Sequence, residues 1–124
     1  VRQGARIIVS VPCCHKDLHR QIQTRAPFGP LMRHGILKQR FTDLLTDTFR
    51  AQILRLMGYK TDVIEFVPSE HTGRNLMLRA VHSQKTAPKR SDVEEYLALK
   101  SYWGVTPHLE MLLEHEFAQR GITG

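Results

Sequence analysis

The chain alternates between stretches of consecutive apolar residues and stretches where apolar residues recur every three or four positions. Residues 5–11 (Ala-Arg-Ile-Ile-Val-Ser-Val) are apolar and β-branched at nearly every position, as in a strand buried on both faces of a parallel sheet. Pro12 cannot donate to a ladder and ends it. Lys16 to Gln23 reads as a short polar helix, and 24–35, with Pro27, Gly29, Pro30 and Gly35, as a loop. The spacing of Phe41, Leu44, Leu45, Phe49, Ile53, Leu56 and Met57 predicts a helix over 39–57, closed by Gly58 in the left-handed position. Two strands are expected at 61–67 and 75–81, joined over 68–74 by a hairpin-length loop containing a glycine. After a polar connector, Ser91 and Glu94 have capping-box spacing for a helix to Trp103 that stops at Gly104. Thr106 with Pro107 at the first helical position starts a last helix that ends near Gly121.

The order is strand, helix, strand, strand, helix, helix, with no internal repeat. It predicts an α/β fold in one partial domain spanning 1–124. A first strand crosses over through the long helix to a parallel neighbour with right-handed sense. An antiparallel hairpin and two carboxyl-terminal helices follow.

Composition narrows the classes. An apolar share of 41% permits a modest core. No apolar run approaches the ~20 residues that cross a bilayer, and the start lacks a signal peptide's apolar stretch, so a soluble, cytoplasmic protein without a membrane partner is expected. Val1 in place of Met suggests a trimmed chain. Cys13 and Cys14 are adjacent, which disfavours a mutual disulfide and suits free thiols. The net charge of +6 suits a phosphate-bearing partner as well as a merely basic protein.

Val11-Pro12-Cys13-Cys14-His15-Lys16, directly after the first strand, resembles the CC-H signature of a family of class I S-adenosylmethionine-dependent methyltransferases, whose bacterial members carry V-P-C-C-H. Relatives include tRNA 2′-O-methyltransferases. The segment from Glu70 to Ala80 resembles that family's last hairpin, and Arg25-Ala26-Pro27-Phe28-Gly29-Pro30 fits its bacterial branch. The resemblance covers about residues 5 to 115. It implies a three-layer, Rossmann-like partial sheet equivalent to the fifth, sixth and seventh strands of the complete fold. The glycine-rich cofactor loop and the acidic ribose-binding residue of the opening strands are missing. The implied protein is therefore a carboxyl-terminal fragment: S-adenosylmethionine serves the complete enzyme, and this chain alone binds no cofactor and is inactive.

In that frame Pro12, Cys14 and His15 stand at the carboxyl end of a strand, where open α/β sheets bind ligands. His15 and Cys14 are the catalytic candidates, His15 as a base on an acceptor hydroxyl. Alternatively the thiols pack helix against strand. Pro12, Glu70, Asn75 and Arg25 are the substrate-binding candidates, with turn chemistry as the other reading of Glu70 and Asn75. Cys14, His15 and His19 are too few for a structural zinc site, so no metal is expected. Arg20, Arg25, Arg33, Lys38 and Arg40 track phosphates or form a solvated face. The competing functional reading is a non-catalytic, basic RNA-binding module, with tRNA among its partners. A thiol-based enzyme using Cys14 and His15 is a third. Tyr102 and Trp103 read as packing residues. Ile7, Ile8 and Val9 would form an unpaired apolar edge, so a homodimer or similar association is expected.

Overall fold

The structure, a computed structural model, describes residues 6–10, 16–22, 27–66, 75–82 and 88–122. Strands β1 (Ile7–Ser10), β2 (Tyr59–Phe66) and β3 (Asn75–His82) form one sheet in the order β1-β3-β2. Helices α1 (Lys16–Gln21), α2 (Gly29–Met32) and α3 (Gly35–Leu56) lie between β1 and β2 in the chain. After the sheet come α4 (Arg90–Trp103), α5 (His108–Leu112) and α6 (Glu114–Gln119). The class is mixed α/β.

The hairpin expected from the two apolar runs is present, with β2 and β3 antiparallel in a register from Tyr59 opposite His82 to Phe66 opposite Asn75. β1 differs from expectation. Its hydrogen-bonded neighbour is β3, antiparallel, with Ile7 opposite Val81 and Ser10 opposite Leu78. The His82 N–H donates to the Arg6 carbonyl at 2.6 Å and extends that pairing by one residue. Because β3 is antiparallel to both neighbours, β1 and β2 run parallel to each other without touching. The parallel partner reached by the crossover is thus one strand further away than expected.

The two faces of the sheet have different fates. Tyr59, Leu78 and Ala80 lie on one face and are buried, with Ile8 half-buried beside them. On the other, Ile7 is 63% exposed, Val9 57% and Val81 41%. The expectation that β1 is buried on both faces is corrected. Consecutive β-branched residues give two-sided burial only where both faces meet a helix, and here α3 is the helix that packs broadly on the sheet. Helices α4 and α5 pack against α3 instead, so the second helical layer lies behind the first.

α3 is central because its stripe Leu45, Phe49, Ile53 and Leu56 recurs at helical spacing and is buried. The Phe49 ring meets Tyr96 of α4 edge-on at 5.8 Å. Asp92 in the first turn of α4 pairs with Arg55 of α3 at 3.2 Å, and Gln52 Nε2 donates to the Asp92 carbonyl at 2.9 Å. Trp103 packs between Phe28 and Phe41 with centroids 5.1 and 5.0 Å away, as its packing role requires, while Tyr102 stays half-exposed at the margin.

Several boundaries shift for local reasons. α3 begins at Gly35, four residues early, because its first turn exposes Ile36 and Leu37 and so lacks the amphipathic signal. The stretch expected as a loop contains α2, where Pro30 falls in the first helical turn as a starter, not a breaker. α1 is not simply polar: Leu18 and, just past its end, Ile22 enter the core. The capping box does not form. α4 starts at Arg90 after Lys89 with no side-chain cap, and Glu94 pairs with Arg90 at 3.0 Å instead. Pro107 is the N-cap of α5 and not its first helical residue, and the expected last helix breaks at Leu113 into two short ones. The left-handed stops are as expected, with Gly58 at φ 92° and Gly104 at φ 63°.

Ile53 is fully buried where α3 meets its neighbours. Ile53→Val should cost about 0.5–1.5 kcal/mol and Ile53→Ala about 2–5 kcal/mol. Urea unfolding at constant m-value checks both, and equal costs would place Ile53 outside the core.

Candidate functional site

Register defines one end of the sheet. β1 ends at Ser10 and β2 at Phe66, while β3 begins there at Asn75. At this end the chain leaves the carboxyl ends of β1 and β2, which run parallel to each other on either side of β3. Residues 11–15, with Pro12, Cys14 and His15, depart from β1 here, and residues 67–74, with Glu70, from β2. Both segments lie outside the described residues, as does Arg25. Asn75 is described as the first residue of β3, opposite Phe66. The potential zinc ligands Cys14 and His15 likewise fall outside, and among the described residues no three His, Cys, Asp or Glu side chains converge as a metal site.

What the structure does place is the frame around the CC-H string. Ser10 is held in the ladder on one side. On the other, α1 is anchored by Leu18 and Ile22 in the core and by a reciprocal amide clamp. Gln21 Nε2 donates to the Thr106 carbonyl at 2.9 Å, and the Thr106 N–H donates to Gln21 Oε1 at 2.8 Å. This clamp ties the helix that follows His15 to the α4–α5 corner, 85 residues away. The described residues on either side of 11–15, Ser10 in the ladder and the helix α1, are thus each held by their own contacts.

Charge is segregated along the chain. Residues 18–42 contain Arg20, Arg25, Arg33, Lys38 and Arg40 and no Asp or Glu. Of these, Arg20, Arg33 and Arg40 are exposed and Lys38 is half-buried. Residues 91–122 carry six acidic and two basic residues. No described helix is long and apolar enough to cross a membrane.

Comparison with models of protein families, with curated proteins and with solved structures finds no match for this chain.

One polar cluster escaped sequence reasoning. The Tyr96 hydroxyl donates to Glu110 Oε1 at 2.6 Å, and Lys100 Nζ donates to both carboxylate oxygens at 2.9 and 2.7 Å. Tyr96 and Lys100 are one turn apart on α4, a spacing visible in the sequence, but Glu110 reaches them only after the Gly104 stop reverses the chain. Burial, reinforced by hydrogen bonding to Glu110 and its negative charge, pushes the Tyr96 phenol well above its ordinary value.

The raised phenol gives a signed expectation. Its stabilising contribution is complete below the unfolded value near pH ~10 and is lost as pH rises above that toward the raised folded value. Tyr96→Phe should cost about 1.5 kcal/mol at neutral pH and flatten the alkaline fall in stability. Urea midpoints between pH 8 and 11 check this. An unchanged slope would detach Tyr96 from the alkaline transition.

Proposed function

We propose that the chain is the carboxyl-terminal part of a class I S-adenosylmethionine-dependent methyltransferase of the CC-H signature family, contributing residues on the acceptor side. The observation that carries this reading is the sheet: one antiparallel strand lies between two mutually parallel strands, and the V-P-C-C-H string follows the end of β1. A mostly parallel sheet with one antiparallel strand near its end is the expected carboxyl end of that fold. The β2–β3 hairpin at the segment resembling the family's last hairpin agrees with it.

The chain's own residues do not fit the cofactor. The links from strand to helix are 11–15 before α1 and 83–89 before α4, and neither contains the glycine that a phosphate- or ribose-cradling turn needs. In the complete enzyme the cofactor supplies the methyl group from elements outside these residues. In this reading His15 would be the base that takes the proton of an acceptor hydroxyl, and Cys14, Pro12, Arg25, Glu70 and Asn75 are its acceptor-side candidates. Among the described residues β1 pairs on one side only; in this reading its other edge receives a preceding strand in the complete fold and is where isolated copies associate.

Isothermal titration with S-adenosylmethionine tests this directly. The 124-residue chain should give no binding heat, and sedimentation of the same sample should give a mass above 14.3 kDa that rises with concentration. A polypeptide extended amino-terminally to a complete class I fold should bind the cofactor. His15→Ala in it should lower methyl transfer about 100-fold or more with cofactor binding retained. Cofactor binding by the short chain alone would overturn the proposal.

A second reading, a basic RNA-binding module, is favoured by the one-sign charge of residues 18–42 with Arg20, Arg33 and Arg40 exposed. It predicts retention of tRNA that weakens steeply with salt, with Arg33→Ala plus Arg40→Ala lowering the log–log slope by about 1–2. Absence of retention at 50 mM salt would end this reading (about where phosphate contacts are strongest).

A further inference from the structure

Helices α4, α5 and α6 enclose a groove of about 510 Å³ that has no part in the reading above. It lies within the ~300–1,000 Å³ span of small-molecule sites. Leu97, Met111, Phe117 and Ile122 form its apolar walls, and Lys100, Glu110 and Glu114 are its charged members. Its described lining comes from α4, α5, α6 and Ile122, with no residue of the sheet or of α1.

The charges decide what the groove accepts. Glu110 is committed at both oxygens to Lys100, and at one also to Tyr96, so that pair is internally neutral. Both partners are largely shielded, with side chains 16% and 15% exposed. Glu114 is exposed and makes no ion pair with a described residue. The described lining, with Lys100, Glu110 and Glu114, therefore carries a net charge of −1 beside apolar walls. An anionic ligand would meet repulsion from Glu114, a neutral one would gain only apolar contact, and a cation would gain both. Phe117 is the aromatic member of the lining.

We propose that this groove binds a small amphiphilic monocation, an alkyl or arylalkyl amine. Its apolar part lies against Leu97, Met111, Phe117 and Ile122, and its ammonium group meets the Glu114 carboxylate at the rim. The neutral Lys100–Glu110 pair closes one side and holds α4 to α5, which keeps the walls in place before a ligand arrives.

The test is a titration of the whole chain, followed by amide chemical shifts, with three probes of one shape: n-hexylammonium, n-hexanol and n-hexanoate. Hexylammonium should saturate with a Kd on the order of millimolar, as a seven-heavy-atom ligand allows. The shifts should centre on Leu97, Lys100, Met111, Glu114 and Phe117. Hexanoate should bind about tenfold more weakly, with hexanol between them. Glu114→Gln should weaken hexylammonium about fivefold and leave hexanol unchanged. Because Glu114 is exposed, the spectrum of that variant should remain that of the folded chain. Equal binding of hexanoate and hexylammonium, shifts confined to the open sheet face around Ile7 and Val9, or no saturation at tens of millimolar would overturn the proposal. Preferential capture of a basic amphipathic helical peptide at the same amides would also overturn it and reassign the groove to peptides.

Discussion

Everything in this molecule hangs on the buried stripe of α3. Leu45, Phe49, Ile53 and Leu56 sit in the interior, with the sheet and α4 both packed on the same long helix. Tyr59 at the start of β2 follows α3 after only Met57 and Gly58, so the direction of the helix sets where the hairpin begins. Gly58, at φ 92°, makes that short reversal without the strain a side chain would add. β3 then lies between β2 and β1. The first and last parts of the sheet are thereby joined through contacts far apart in the chain.

The same helix organises the second half. Arg55 and Gln52 hold the start of α4, Phe49 holds its middle through Tyr96, and Phe41 holds its end through Trp103. Polar contacts with this placement act mainly as registration devices: the Arg55–Asp92 pair has a half-exposed arginine, and such pairs contribute little net stability. The gain comes from the aromatic and aliphatic area they align. The Gln21–Thr106 clamp does the same for α1, satisfying a backbone N–H and C=O at the α4–α5 corner with a single side chain.

A layered arrangement of sheet, α3, then α4–α6 leaves one sheet face without a described helix. That asymmetry links fold to proposed role. That face carries the exposed side chains of Ile7, Val9 and Val81, and under the proposed role further elements of the complete fold cover it. The charge pattern is equally lopsided, basic around α1–α3 and acidic across α4–α6. Any partner reading the two halves would meet opposite fields.

Local periodicity determined much of this. The strands at β2 and β3, their pairing as a hairpin, the body of α3 and the stops at Gly58 and Gly104 follow from spacing and glycine chemistry, which depend on neighbours only a few residues away. The V-P-C-C-H string and its position after a strand were legible for the same reason. Tertiary structure alone decided which strand β1 joins, which of its faces is covered and where the last helices break. It also decided that Tyr96, Lys100 and Glu110 converge. Each of these depends on contacts between residues distant in the chain, and an apolar run such as Ile7-Ile8-Val9 looks the same whether one face or both will find a partner. The capping box at Ser91 failed on similar grounds: Arg90 and the docking of Asp92 on Arg55 set the helix start, and a local signal worth about 1 kcal/mol yielded to packing.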